Sequence, residues 1–165
     1  MSPAESMTAN ELPRCGLYRT VSAIGEVPAE RLVYFHNHGD PGPGVYFPER
    51  WVANRATFAS QGTTLPATWN KRALLALPAE GFYRVAKPFH CCAKRCVHFT
   101  PEMFVQLGYN GAGRGLMFTP EFATDVIRVP DRGTPIDDAA FASLVALQVA
   151  ERRDELALPR GIIVH

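Results

Sequence analysis

The sequence predicts an α+β fold, with about seven short strands in an antiparallel or mixed sheet and two helices, at residues 49–61 and 135–157. Short apolar stretches alternate with turn residues at hairpin spacing along most of the chain, and such a sheet can curl into a barrel. Helical periodicity is confined to those two stretches. The chain therefore lacks the strand–helix alternation of a doubly wound sheet.

Length and composition favour a soluble, cytoplasmic protein. The 165 residues suit a single domain over residues 14–165, and the small, polar residues 1–13 are typical of a flexible tail. A net charge of +1 gives no global attraction to nucleic acid or to an anionic membrane. No apolar run approaches the roughly 20 residues that span a bilayer. Four cysteines are too few for a disulfide framework in a chain of this length.

The strands are predicted from apolar stretches bounded by turn residues. They cover residues 16–24, 31–38, 45–47, 81–87, 103–109, 115–118, 125–129 and 162–164. Asn110-Gly111 between two of them is a hairpin signal. Phe-Thr-Pro-Glu occurs at residues 99–102 and again at residues 118–121, and we interpret the two copies as similar strand exits, not as an internal duplication.

The two helices are predicted from their first turns and their apolar faces. Pro48 suits the first turn of the first helix, in which Trp51 and Phe58 lie on one face, and Gly62 suits its end. The second helix has Thr134 as a hydroxyl N-cap, and its apolar stripe continues to Leu158.

A segment rich in cysteine and histidine is the first candidate site. If residues 93–95 form a hairpin tip, side-chain alternation places four potential ligands on one face: His90, Cys92, Cys96 and His98. Zinc prefers four ligands drawn from cysteine and histidine, so this face predicts a structural zinc. Two alternatives stay open, a disulfide between the two cysteines or ordinary thiols beside surface histidines. A reducing compartment favours metal or free thiols over the disulfide.

A second candidate metal set consists of His36, His38 and Asp40. Two histidines at alternate positions of a strand point to the same side, and the carboxylate could be a third ligand. An open fourth position for water would suit a metal-dependent hydrolase. The competing interpretation is a strand end whose histidines hydrogen-bond to the following turn.

The favoured function is a non-catalytic binding or assembly module, acting on a protein partner or on a second copy of the chain. No nucleophile–base pair is recognisable, so no catalytic residue is assigned, whereas strand and loop aromatics can anchor interfaces. Lys94, Arg95 and Arg114 at predicted loop tips are the candidate partner-binding residues. The alternatives are the hydrolase and, more weakly, a nucleic-acid-binding protein using the basic residues between positions 71 and 95.

Overall fold

The computed structural model describes residues 12–148, and this part of the chain is mostly β. The first eight strands are β1 (Gly16–Thr20), β2 (Leu32–His36), β3 (Gly44–Tyr46), β4 (Pro48–Val52), β5 (Arg55–Phe58), β6 (Thr63–Thr64), β7 (Leu74–Ala76) and β8 (Gly81–Val85). The next eight are β9 (Phe89–His90), β10 (His98–Phe99), β11 (Phe104–Tyr109), β12 (Gly115–Phe118), β13 (Glu121–Phe122), β14 (Ile127–Arg128), β15 (Thr134–Pro135) and β16 (Leu144–Ala146). Every pairing between them is antiparallel.

Two five-stranded sheets have the same topology. Their strand orders are β6-β3-β2-β1-β7 and β15-β12-β11-β8-β16, so both have the order 4-3-2-1-5 when the strands of each sheet are numbered along the chain. Each fifth strand follows a 3-10 turn, at Lys71–Ala73 and at Asp138–Ser143. Each third strand is followed by a two-stranded ladder, β4-β5 or β13-β14. We call residues 12–77 the first repeat and residues 78–147 the second repeat.

The side chains of the two first strands repeat as well. The pattern Leu-Pro-x-x-Gly-x-Tyr-Arg occurs at residues 12–19 and at residues 77–84. The Tyr18 hydroxyl donates to the Arg14 carbonyl at 2.7 Å, and the Tyr83 hydroxyl donates to the Ala79 carbonyl at 2.6 Å, four residues earlier in both cases. The two repeats therefore share both a sequence pattern and the contact that the pattern forms.

The bend before each second strand is also equivalent. Glu30 and Glu102 have positive φ angles of 57° and 69°. Their amides donate to the carbonyls of Thr20 and Val85, at 2.7 and 2.8 Å. The chain therefore does contain an internal duplication. The residues that are equivalent in the two repeats are not those of the Phe-Thr-Pro-Glu match.

The repeats differ most in the connection between their first and second strands. In the first repeat, the bridge between Ile24 and Val27 encloses two residues. In the second repeat, the equivalent pair, Phe89 and Phe99, encloses nine residues, 90–98. The seven additional residues lie within the segment that contains Cys91, Cys92 and Cys96, and we call residues 90–98 the thiol loop.

Two hydrophobic clusters form the core. One lies within the first repeat and includes Val33, Phe35 and Val45, each fully buried. The other is built mainly from the second repeat but also contains Leu32, which is fully buried too. The Leu32 amide donates to the Gly111 carbonyl at 2.9 Å, so the repeats are joined by backbone as well as by packing.

The α+β prediction is wrong, because both predicted helices are replaced by strands and 3-10 turns. Residues 49–61 form the β4-β5 hairpin, whose two-residue turn has Ala53 and Asn54 at φ 49° and 66°. Positive φ at both turn positions is the geometry that joins twisted strands most closely, and the Asn54 side chain holds the turn by donating to the Gln106 side chain and the Pro130 carbonyl.

The second predicted helix, residues 135–157, is replaced by the end of β15, a 3-10 turn and β16 as far as residue 148. Leu144 packs on the core, Val145 is 45% exposed, and all three residues of β16 pair with β8. The remainder of that helix, the strand at 162–164 and most of the predicted tail lie outside the described residues. Over residues 12–148 the chain forms no helix that is long and apolar enough to cross a membrane.

Candidate metal-binding sites

The thiol loop begins and ends on a short ladder whose register agrees with the sequence prediction. His98 lies opposite His90, and Phe99 lies opposite Phe89. Both pairs stack, with ring centroids 4.4 Å apart for the histidines and 4.9 Å apart for the phenylalanines. Phe99 is 1% exposed, so the ladder is anchored in the core.

Three cysteine sulfurs converge inside this loop. Strand β9 ends at His90, so side-chain alternation no longer applies to Cys91 and Cys92, and their Sγ atoms lie 3.6 Å apart. The Sγ atom of Cys96 completes a group whose ligand atoms all lie within 4.8 Å of one another. The structure thus brings together two predicted ligands and adds Cys91, while the ring nitrogens of His90 and His98 do not belong to the group.

The spacing of the sulfurs fits a metal ion. Two thiolates bound at about 2.3 Å to a tetrahedral zinc ion are about 3.8 Å apart, a separation that follows from the bond length and the tetrahedral angle. The observed 3.6 Å between Cys91 and Cys92 is close to that value. A group of three thiols suits zinc or monovalent copper, because soft sulfur ligands select such ions.

The backbone holds the loop in this shape through bonds at both of its ends. The Cys91 amide donates to the Val97 carbonyl at 2.9 Å, and the Val97 amide donates to the Cys91 sulfur at 3.2 Å. The Arg95 amide donates to the Cys92 carbonyl at 2.9 Å. The Asp137 amide, from the start of the second 3-10 turn, donates to the Cys91 carbonyl at 3.0 Å. The cysteine positions are therefore fixed by the fold of the second repeat.

The local electrostatics favour one thiolate in this group. The Lys94 amide lowers the pKa of the Cys92 thiol below its ordinary value, and the Cys91 thiol contributes a further hydrogen bond. The negative charge on Cys92 in turn raises the pKa of Cys96. Partial desolvation and the Arg95 charge lower the pKa of His90. Because the thiolate is the form that binds metal, Cys92 is the natural first ligand.

Two of the three predicted partner-binding cations lie on the loop. Lys94 and Arg95 are exposed at its tip. Arg114 lies 3.5 Å from the Asp137 carboxylate, and the amide of Asp137 donates to the Cys91 carbonyl. Lys94 and Arg95 are thus on the loop, whereas Arg114 is connected to it only through Asp137.

The other predicted metal set is rearranged. His36 and His38 group with Cys15, whose Sγ atom lies 3.7 Å from the Nδ1 atom of each histidine. Asp40 does not belong to this group and lines a neighbouring cavity of about 120 Å³. Cys15 was not among the predicted ligands, although antiparallel pairing of the first two strands indicates it. Gly16 pairs with Phe35, so Cys15 lies beside His36.

The aromatic residues near the basic stretch are mostly buried. Trp69 and Tyr83 are 8% exposed, and Phe89 packs against the second cluster, whereas Phe82 is 41% exposed. Base stacking needs accessible rings, so this stretch offers little of the surface that single-stranded nucleic acid uses.

Compared with known proteins, the chain matches no protein-family model, no curated protein and no solved structure.

Proposed function

We propose that the protein is a non-catalytic binding module whose partner-contacting loop is organised by a Zn²⁺ ion bound to Cys91, Cys92 and Cys96. The observation that carries the proposal is the convergence of these three sulfurs within 4.8 Å. They converge on a loop that the first repeat replaces with two residues. Because the first repeat forms the same bend without the loop, the topology of the repeat does not require the additional residues.

Metal binding would explain why the second repeat contains these additional residues. Most of the loop is exposed, with Cys91 as its buried residue, so packing alone restrains it weakly. Three thiolate bonds would cross-link the loop and present its tip in one conformation. A preorganised loop loses less conformational entropy when it binds a partner.

The charge at the tip indicates the class of partner. Lys94 and Arg95 are adjacent and exposed, and Lys87 is exposed shortly before the loop. Complementary charge directs association and selects partners, so we propose an acidic surface of a protein, including that of a second copy of this chain.

The cysteine chemistry fits a reducing compartment, and we propose the cytoplasm. All four cysteines, which lie among residues 12–148, are free thiols. Thiolate ligation requires reduced cysteines, and the cytoplasm keeps them reduced.

Metal titration of the reduced, metal-free chain tests the zinc part of the proposal. Cys96→Ser should lose the equivalent of Zn²⁺ that the loop holds in the wild-type chain, as measured by calorimetry. Val97→Ser is the matched control, because Val97 is an exposed loop residue without a ligand atom. If Cys96→Ser binds zinc with wild-type stoichiometry and affinity, the loop is not a metal site.

Light scattering tests the assembly part. The zinc-loaded wild-type chain should show a mass that rises with concentration, and the double substitution K94E/R95E should reduce that rise. K71E/R72E in the first repeat makes the same change of charge and should leave the rise unchanged. A wild-type mass that stays monomeric at all concentrations would exclude the second copy as partner.

A further inference from the structure

We infer that the first repeat holds a second, independent metal centre. Cys15, His36 and His38 would bind Zn²⁺ there, and the fourth coordination position would be open to water or a small anion. This site differs in kind from the thiol loop, because it combines one thiolate with two imidazoles. Three protein ligands and an open position are the arrangement that zinc has where it binds exchangeable ligands.

The interatomic distances fit one ion between the three side chains. A sulfur at about 2.3 Å and a nitrogen at about 2.0–2.1 Å from zinc are about 3.6–3.8 Å apart at tetrahedral to trigonal angles. The Cys15 Sγ atom lies 3.7 Å from His36 Nδ1 and 3.7 Å from His38 Nδ1. The centroids of the two imidazole rings are 4.1 Å apart. Two imidazoles bound to one tetrahedral ion have centroids about 5 Å apart, so the two rings move apart by about 1 Å when an ion binds all three ligand atoms.

Asn37 orders this group from the backbone side. Its amide donates to the Cys15 sulfur at 3.3 Å, a hydrogen bond that a metal-bound sulfur can also accept. Its side-chain oxygen accepts a hydrogen bond from the Cys15 thiol at 3.2 Å and one from His38 Nδ1 at 2.6 Å, so both of these protons leave when a metal binds. Its side-chain nitrogen donates to the Pro13 carbonyl at 3.1 Å. In the metal-free chain, one residue thus holds two of the three ligands close together.

The second repeat shows which of these contacts the fold requires. Strand registers make Tyr109 the equivalent of Asn37, and the Tyr109 hydroxyl donates to the Pro78 carbonyl just as the Asn37 side chain donates to the Pro13 carbonyl. That scaffold contact is shared by both repeats. The three ligand positions are not shared, and their equivalents are Glu80, Gly108 and Asn110.

Each of those equivalents has a structural role in the second repeat. Glu80 accepts a hydrogen bond from the Ala56 amide at 2.9 Å. Gly108 leaves no space for a side chain, because a Cβ atom would lie 2.7 Å from the Asn54 carbonyl oxygen. Asn110 accepts hydrogen bonds from the amides of its own turn. In the first repeat the side chains at these positions contact one another and Asn37, which is the pattern of a binding site.

The neighbouring cavity indicates the size of the external ligand. It has a volume of about 120 Å³, and His36, Gly39, Tyr46 and Thr63 are among the residues that line it. This volume accommodates a molecule of a few atoms. We therefore place water, azide or a similarly small anion at the fourth position of the ion.

The first test uses Co²⁺ as a spectroscopic substitute for Zn²⁺ in the reduced chain. In the variant C91S/C92S/C96S, which lacks the loop thiols, Co²⁺ should still bind one equivalent and give a sulfur-to-cobalt charge-transfer band. Adding Cys15→Ser should abolish the band, and adding His38→Ala should weaken binding at least tenfold. His38 is exposed, so His38→Ala tests the site even if Cys15→Ser perturbs the fold. His98→Ala, which removes a histidine outside both groups, is the matched control.

The second test probes the open position in the same cobalt-loaded variant. Azide should shift the visible cobalt bands, and a spectrum that azide leaves unchanged would contradict the open position. Retention of the charge-transfer band after Cys15→Ser, or equal affinity after His38→Ala, would overturn the whole site. Because the loop thiols are absent from this variant, either result is independent of the function proposed for the loop.

Discussion

Replacing the thiol loop with the turn of the first repeat should remove a metal site without unfolding the protein. The perturbation exchanges residues 90–98 for Gly-Glu, the two residues that Ile24 and Val27 enclose. It is made in the Cys15→Ser background, so that metal bound to Cys15 does not contribute. The comparison is between this loop exchange and the Cys15→Ser chain that retains the loop.

Opposing contributions to the free energy of unfolding nearly cancel in this exchange. Shortening the loop from nine residues to two reduces the entropy of loop closure, which stabilises the fold by about 1.3 kcal/mol. The buried Cys91 side chain, 2% exposed, is lost at a cost of about 1 kcal/mol. The Asp137 amide loses the Cys91 carbonyl, at a cost of about 0.5–1.5 kcal/mol. The metal-free proteins should therefore differ by less than about 1.5 kcal/mol.

Urea unfolding with and without Zn²⁺ is the assay. Free zinc at 100 times the dissociation constant should stabilise the chain that retains the loop by about 2.7 kcal/mol and should not stabilise the loop exchange. Destabilisation of the metal-free loop exchange by more than about 3 kcal/mol would mean that the loop belongs to the core. Equal stabilisation of both chains by zinc would refute the metal assignment.

Three further substitutions test the fold that positions the sites. Tyr18→Phe removes the hydrogen bond to the Arg14 carbonyl and should cost about 0.5–1.5 kcal/mol in urea unfolding. Gly108→Ala places a Cβ atom against a backbone oxygen and should cost about 1–3 kcal/mol. Arg19 lowers the pKa of Asp138 below its ordinary 3.8, so Asp138→Asn should cost up to about 1 kcal/mol at neutral pH, and this difference should disappear as the pH falls through the lowered pKa.

Each of these predictions has a control variant or an outcome that would contradict it. Gly42→Ala is matched to Gly108→Ala, because a Cβ atom at Gly42 meets nothing within 4 Å, and it should leave stability within about 0.5 kcal/mol of the wild type. An unchanged stability after Tyr18→Phe would show that the repeated tyrosine contact is not a stabilising one. A stability difference for Asp138→Asn that persists well below the lowered pKa would assign its effect to packing instead of charge.

The strand pattern was predictable because alternation and turn residues are local signals. Seven of the predicted strands, from residues 16–24 to 125–129, overlap observed strands, and the pairing of His90 with His98 follows from simple hairpin counting. The predictions of the two helices were wrong for different reasons. In the first, Ala53 and Asn54 form a positive-φ turn within a stretch that also fits helical periodicity. In the second, pairing with β8 overrides the helix-start signals around Thr134.

The ligand groups were only partly predictable, because their assembly depends on where strands end and which strands pair. Side-chain alternation predicted that Cys91 would point away from Cys92. Strand β9 instead ends at His90, before both cysteines, and the two sulfurs meet in the turn that follows. Cys15 is separated from His36 by 21 positions, so only strand pairing brings the two together. The repeat, by contrast, was visible in the two copies of Leu-Pro-x-x-Gly-x-Tyr-Arg and needed only a comparison of the chain with itself.

Zinc K-edge X-ray absorption of the Cys15→Ser chain, loaded with one equivalent of Zn²⁺, tests the thiol loop most directly. We expect a first shell that contains three sulfur atoms at about 2.3 Å, from Cys91, Cys92 and Cys96. A first shell of nitrogen and oxygen alone, or a metal that is lost on dialysis, would contradict the proposal that this loop is built around a metal ion.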